Sequence, residues 1–214
     1  GKAFSSGGNY PWLKALSTHP VHVNADTMMR FYNYFLRSIR NVPVPTICAV
    51  HGPAMGAGAG LALACDLRVA VDKATCLGLH FSSLGIHSGM GASHYLPNIA
   101  NNNYASVYEI LLLGKTLNGK EAHELGLVHR LVHDEKACFE MAHELALDIA
   151  TKQHPVAIRT MIKTLRLKQD EGLQSSLQNE AYAQALCYNR NDWGEGLLKK
   201  KKYPPPTFDD YHQK

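Results

Sequence analysis

The chain has few of the features that mark membrane, nucleic-acid-binding or disulfide-rich proteins. No apolar run approaches the roughly 20 residues that a membrane-spanning helix needs. Charged residues make up 19% of the 214, the net charge is only +4, and neither zinc-finger spacing nor alternating aromatic and basic residues accompany it. The five cysteines are odd in number and far apart, which is typical of reduced, buried thiols. We expect a globular chain that can take an anionic ligand but has no nucleic-acid partner, membrane span or metal.

The most informative stretch joins an apolar strand to a glycine-rich helix start. Residues 47–50 (ICAV) predict a buried strand, a Gly-Pro turn follows at 52–53, and residues 56–60 (GAGAG) open an apolar helix. Glycine lets a ligand approach the backbone closely. The unpaired N–H groups and the dipole at a helix start favour negative charge, such as a thioester oxygen that becomes an enolate.

Four blocks in sequence order resemble the enoyl-CoA hydratase/isomerase (crotonase) superfamily. They are residues 1–9 (GKAFSSGGN), 56–60 (GAGAG), 84–91 (LGIHSGMG, with serine where the family has proline) and 113–128 (LGKTLNGKEAHELGLV). The resemblance extends from residue 1 to about residue 202. It implies an acyl-CoA ligand, no cofactor beyond the CoA of the substrate, and a homotrimer or a dimer of trimers.

The resemblance also implies an α/β fold with a crotonase-type ββα spiral core. We assign that core to residues 1–133, a helical C-terminal trimerisation region to 134–202 and a tail to 203–214. The family begins with strands and a helix that would precede residue 1, so we expect the natural chain to be longer. Localisation is left open between the mitochondrion and the cytoplasm.

Hydrophobic spacing gives a coarse map of the elements. Strands and helices alternate up to about residue 132, and from 134 onwards the apolar spacing is helical only. Residues 10–22 have the composition of a loop, and Asn24 or Asp26 would cap the helix that follows. Met28, Met29, Tyr32 and Tyr34 are interpreted as core or trimer contacts rather than as a cofactor site.

The resemblance assigns the site residues one by one. The main-chain N–H groups of Ser6 and Ala57 would form the oxyanion hole, with alanine at Ala57 where the family has glycine. An acyl pocket and substrate contacts would be formed by Ser6, Gly7, Gly8, Asn9, Gly56 and Ala57.

The two glutamates of the family's hydratases are absent. Their positions are occupied by Gly60 and Phe81, and neither side chain can move a proton. His80 is the nearest ionisable residue and the first candidate for a base. If residues 78–85 are extended, however, His80 and Phe81 point to opposite faces. His87 and His51 are further candidates, with His51 expected mainly to brace the turn.

Other groups have simpler interpretations. Asp66 would cap a helix or pair with Arg68, and Lys199–Lys202 could meet CoA phosphates or lie on a solvated face. A serine nucleophile has no Gly-x-Ser-x-Gly elbow to support it, and four small loop residues are the alternative: Ser5, Ser6, Ser82 and Ser83.

The sequence therefore predicts a protein that binds acyl-CoA thioesters and stabilises an enolate, of the hydratase or isomerase type. Two alternatives stay open: a non-catalytic acyl-CoA binder or structural subunit, which the absent acids favour, and a CoA-thioester hydrolase.

Overall fold

Helices dominate the part of the chain that the structure, a computed structural model, describes: residues 1–190 and Trp193. The described helices are α1 (Tyr10–Ala15), α2 (Val21–Arg40), α3 (Ala57–Ala64), α4 (Ala92–Ile99), α5 (Tyr104–Leu112), α6 (Gly119–Glu124), α7 (Glu135–Lys152), α8 (Pro155–Gln169) and α9 (Leu173–Tyr188). Among these residues no helix combines the length and apolarity required to cross a bilayer.

The strands of the described residues form two small sheets. They are β1 (Ile47–Val50), β2 (Ala54–Met55), β3 (Leu67–Val71), β4 (Thr75–Gly78), β5 (Thr116–Asn118) and β6 (Arg130–Val132). In one sheet β1, β3 and β6 are parallel, and in the other β4 pairs in parallel with β2 and antiparallel with β5. This mixture of sheets and helices confirms the predicted α/β class.

Helix α3 connects the two sheets and is buried almost all round. It is built from alanine, glycine and leucine, and Ala59, Ala62, Leu63 and Ala64 have no exposed surface. A helix that is apolar on every side belongs in a core. Burial of this short helix fixes the position of its N-terminus, where the candidate site lies.

The C-terminal helices return to the core. Helix α7 packs on β1, β3 and β6, and α9 lies along α2. Helix α8 is held by Arg166, whose guanidinium contacts both carboxylate oxygens of Asp66. The prediction that Asp66 pairs with Arg68 is wrong, because Arg68 turns inward and donates to carbonyl oxygens, including that of Leu127 at 2.5 Å. The division of the chain at residue 134 and the trimerisation role stay predictions.

The N-terminal loop prediction is also wrong. Residues 10–18 form α1 and a 3-10 turn, because Asn9 caps α1 by accepting from Trp12 N at 3.0 Å and Pro11 stands in the first turn, where proline is tolerated. Helix α2 begins at Val21, directly after Pro20. The predicted cap Asn24 is instead buried inside α2, where its amide donates to the carbonyl of Leu16 at 2.8 Å.

Candidate active site

The first residues of the chain run beside the segment that leads into α3. Ser5 bridges Ala54 in parallel, with Ser5 N donating to Pro53 O at 3.1 Å and Met55 N donating to Ser5 O at 2.9 Å. Gly7 follows with a φ of +95°, which favours glycine. A Cβ at Gly7 would lie 2.8 Å from the carbonyl oxygen of Met55 and 3.7 Å from Ala57 N. The N-terminal block is therefore held against the start of α3.

The start of α3 presents unpaired main-chain N–H groups. Gly56 is the N-cap, with a φ of +52°, and its own N–H donates to Gly78 O at 2.7 Å. Ala57 is the first helical residue, so its N–H has no partner within the helix. Within residues 1–190 and Trp193, neither the N–H of Ala57 nor that of Ser6 donates a hydrogen bond.

Ser6 and Ala57 both line one cavity of about 650 Å³. Every residue assigned to the site from the sequence lines this cavity: Ser6, Gly7, Gly8, Asn9, Gly56, Ala57 and His80. The remaining walls are mainly apolar and come from α1, α2, α9 and the turn after β4: Trp12, Leu13, Met28, Phe31, Phe81, Leu84, Ile86 and Met90 are among them. A largely apolar cavity with a few convergent polar groups is typical of a ligand site.

Comparison with known proteins identifies the family. The family model for enoyl-CoA hydratase/isomerase matches residues 1–210. The chain belongs to the enoyl-CoA hydratase/isomerase family. It is 34% identical over 180 residues to the human protein named methylglutaconyl-CoA hydratase, mitochondrial. The matched region covers 81% of this chain and 51% of the human protein. It is 32% identical over 208 residues to 1,2-epoxyphenylacetyl-CoA isomerase of Escherichia coli K12, covering 97% and 78%.

A solved structure supports the same assignment. Enoyl-CoA hydratase from Bacillus halodurans superimposes with a TM-score of 0.78 at 27% identity, covering 91% of this chain and 76% of that one. The chain spans about half the length of the human and mouse methylglutaconyl-CoA hydratases that it matches.

The positions that the resemblance assigns to the family's two glutamates are filled by packed groups. A Cβ at Gly60 would lie 2.5 Å from the Cβ of Met90 and 2.8 Å from its carbonyl oxygen. Phe81 is 8% exposed, lines the cavity and lies with its ring 3.9 Å from the Cβ that Gly56 would carry. An apolar wall stands where an acid would be expected.

His80 lines the same cavity as Phe81, contrary to the alternation expected of an extended segment. Strand β4 ends at Gly78, and Phe81 has helical angles, φ −59° and ψ −47°, so the two-residue period is broken between them. The Nε2 atom of His80 lies 2.5 Å from Thr116 Oγ1 on β5. A polar partner thus fixes the ring beside the cavity wall.

The other two histidine candidates lie elsewhere. His87 is exposed, its Nδ1 is 2.8 Å from the carbonyl oxygen of Ser88, and it is not among the described lining residues. His51 contacts the carbonyl oxygen of Gly1 through Nε2 at 3.1 Å and packs its ring 5.0 Å from that of Phe139. It braces the turn after β1, on a different surface groove.

The serine candidates do not form a nucleophilic triad within the described residues. Ser5 Oγ accepts the N–H of Gly7 at 3.2 Å, and Ser83 Oγ donates to the carbonyl oxygen of His80 at 3.2 Å. The same part of the chain contains no cluster of histidine, cysteine or acidic side chains suited to a metal. The run Lys199–Lys202 lies outside the described residues, and its CoA contact stays a prediction.

Sequence reasoning missed three buried polar residues of the cavity wall. Tyr32 of α2 and Gln184 and Tyr188 of α9 line it, each at most 4% exposed. Tyr32 was expected to be a core or trimer contact, and it is buried. Its hydroxyl nevertheless reaches Gln184, 152 positions along the chain, at 2.6 Å. A pairing so distant in sequence has no local signal.

Proposed function

We propose that this chain binds an acyl-CoA thioester and stabilises the enolate derived from it. In this proposal, the thioester oxygen accepts hydrogen bonds from the N–H groups of Ser6 and Ala57. The observation that carries it is that Ser6 and Ala57 line the same cavity and that neither main-chain N–H donates a hydrogen bond within the described residues. Membership of the enoyl-CoA hydratase/isomerase family supports the same ligand class.

Stabilisation of an enolate requires a group that removes a proton from the α-carbon. We assign this role to His80, because it is the one histidine among the described lining residues and an imidazole nitrogen can accept a proton. The proton would pass from the α-carbon to the imidazole, while the electron pair of the broken C–H bond moves to the thioester oxygen. The two amides would then hold the developing charge.

A non-catalytic acyl-CoA binder or structural subunit is the second candidate. Two observations favour it: Met90 packs against Gly60, and the phenyl ring of Phe81 lines the cavity. Neither position where the family's hydratases have glutamate carries an acid, and the cavity is still present. A thioester hydrolase is less well supported, since the hydroxyls of Ser5 and Ser83 are bonded to main-chain groups.

Four measurements separate these functions. The loss of enoyl absorbance with crotonyl-CoA and longer enoyl-CoAs reports hydration, and a shift of the double bond in unsaturated acyl-CoAs, followed by product analysis, reports isomerisation. Calorimetry with butyryl-CoA reports binding alone, and a thiol reagent detects free CoA from hydrolysis. Turnover supports the enzyme, and tight binding without product supports the binder. Absence of binding to the folded protein contradicts the proposal.

We also propose a homotrimer or a dimer of trimers, formed in part by α8. This helix exposes two pairs of apolar side chains, Val156 with Leu167 on one side and Met161 with Leu165 on the other, each more than half accessible. Exposed apolar side chains of this kind can be covered by a neighbouring subunit. Sedimentation equilibrium gives the assembly mass directly, and a monomer at micromolar concentration would contradict this assignment.

A further inference from the structure

One wall of the cavity carries a small hydrogen-bonded polar cluster. The hydroxyls of Tyr32 and Tyr188 both donate to Oε1 of Gln184, at 2.6 and 3.2 Å. Nε2 of Gln184 donates to the carbonyl oxygen of His87 at 2.8 Å. These bonds fix the orientation of the amide and use the protons of both hydroxyls.

The cluster has hydrogen-bonding capacity left over. Each tyrosine oxygen keeps a lone pair, and Gln184 keeps a second N–H that has no partner among the described residues. Burial, with repulsion from Tyr188 and Glu180, raises the pKa of Tyr32 well above its ordinary value, so the hydroxyl stays neutral. The matching ligand group is one that both accepts and donates, as an alcohol does.

The charges around the cluster disfavour an anionic ligand group. No lysine or arginine is found among the described lining residues. Glu180 lies one turn before Gln184 on α9 and is fully buried, where its carboxylate accepts from Gly91 N at 2.7 Å and from Ser93 N at 2.8 Å. A second carboxylate nearby would be desolvated without a counter-charge.

A series of contacts links the cluster to α3, whose first residue is Ala57. Gly60 lies one turn into α3 and packs against Met90, and the residue before Met90 is Gly89. A Cβ at Gly89 would lie 2.4 Å from the hydroxyl oxygen of Tyr32 and 2.7 Å from Nε2 of Gln184. The cluster is therefore connected to the first turn of α3 through Gly89 and Met90.

We propose that Tyr32, Gln184 and Tyr188 form a subsite for a hydroxyl group on the acyl chain. The cavity then prefers hydroxyacyl thioesters to unsubstituted acyl thioesters and to those that end in a carboxylate. This inference rests on the proposed function, since it requires an acyl-CoA in the cavity. The bound hydroxyl donates to a tyrosine oxygen and accepts from the free N–H of Gln184.

Calorimetry with four thioesters tests the subsite. The ligands are butyryl-CoA, 3-hydroxybutyryl-CoA, 4-hydroxybutyryl-CoA and succinyl-CoA. We expect at least one hydroxyacyl thioester to bind about five- to tenfold more tightly than butyryl-CoA, as one net hydrogen bond provides. Succinyl-CoA should bind more weakly than butyryl-CoA.

Two conservative variants and a matched control separate recognition from a purely structural role. Tyr32→Phe or Tyr188→Phe should remove most of the hydroxyl preference, measured as the ratio of the hydroxyacyl-CoA affinity to the butyryl-CoA affinity of the same variant. Tyr34 is an exposed residue of α2, the helix that carries Tyr32. Tyr34→Phe should leave the affinities for hydroxyacyl-CoA and butyryl-CoA unchanged. The inference is overturned if the native protein shows no hydroxyl preference, or if both cluster variants weaken all ligands equally. If the native protein does not bind butyryl-CoA, the proposed function, on which this inference depends, is overturned instead.

Discussion

Met90 packs directly over Gly60. The Cβ and carbonyl oxygen of Met90 occupy the space that a glutamate side chain at position 60 would need. Met90 adopts a φ of +60°, which is uncommon for a residue with a side chain, and it is 3% exposed. The Cβ that Gly60 lacks would lie 2.5 Å from the Cβ of Met90. The packing between α3 and the turn before α4 therefore leaves no room for an acidic side chain at position 60.

Substitution of Gly60 should therefore cost stability without creating activity. Gly60→Ala forces Met90 and its backbone to move, and overpacking of this kind costs about 1–3 kcal/mol. Gly60→Glu should cost more and should not increase hydration of crotonyl-CoA. Chemical denaturation measures the first effect, and the enoyl absorbance measures the second.

A double-mutant cycle with Met90→Gly checks the contact itself. In that background the conflict with the Met90 Cβ is gone and only the close approach to the carbonyl oxygen of residue 90 remains, so Gly60→Ala should destabilise the protein less than it does in the native background. Equal costs in both backgrounds would show that Gly60 and Met90 are not coupled.

Removal of the main-chain N–H of Ala57 tests the oxyanion hole. Ala57 is the first residue of α3, the helical position that best tolerates proline, so Ala57→Pro deletes the donor while keeping the helix. Loss of one such donor costs about 2.7–4 kcal/mol of transition-state stabilisation, which is about 10²–10³ in kcat. Steady-state kinetics with the best enoyl-CoA substrate gives the number.

Ala57→Gly is the control for the loss of the side chain. It keeps the N–H and restores the residue type that the resemblance gives this position, so kcat should stay within a few-fold of the native value. If Ala57→Pro folds and retains native kcat, the N–H of Ala57 does not serve the reaction.

The sequence predicted the backbone part of the site better than its side-chain part. Gly7 and Gly56 were assigned to the site through the resemblance, and the structure gives both a positive φ, which favours glycine. Ser6 and Ala57, the residues predicted to form the oxyanion hole, line one cavity. The apolar helix predicted to open at residues 56–60 is α3, which begins at Ala57.

Long-range contacts account for what the sequence did not predict. The Tyr32–Gln184 bond joins α2 to α9, and Met90 meets Gly60 across a turn, so neither leaves a periodic pattern. The two-residue strand β2 and three-residue strand β5 are too short to show alternation. The orientation of His80 depended on where β4 ends, and strand ends are poorly defined by sequence.

The contact between His80 and Thr116 gives a test of the proposed base. His80→Gln should lower kcat by about 10²–10⁴, the range for loss of a general base, while butyryl-CoA affinity stays near native. Thr116→Val keeps the volume but removes the hydroxyl that holds Nε2, so kcat should fall by up to about 100-fold with KM little changed. Full native kcat in His80→Gln would contradict the assignment.

The Asp66 carboxylate contacts Arg40 of α2 and Arg166 of α8, and its substitution should have a large, pH-dependent effect. Burial acts to raise the pKa of Asp66, but hydrogen bonds from Arg166 and Thr46 outweigh it and lower the pKa below its ordinary value. Asp66→Asn leaves Arg166, whose side chain is 8% exposed, without its anionic partner. Breaking one side of such a pair costs about 3–5 kcal/mol. Urea denaturation at pH 7 measures it.

The sign of the pH dependence follows from that lowered pKa. A carboxyl group with a lower pKa in the folded chain contributes stability above its unfolded pKa of about 3.9, and this contribution is lost as the pH falls through the folded value. The difference in unfolding free energy between native protein and Asp66→Asn should therefore be largest near neutrality and shrink in acid. Lys168→Ala, which removes an exposed ion pair with Glu171, is the control and should cost at most about 1 kcal/mol. A difference that stays constant from pH 7 to pH 3 would show that the Asp66 charge does not stabilise the fold.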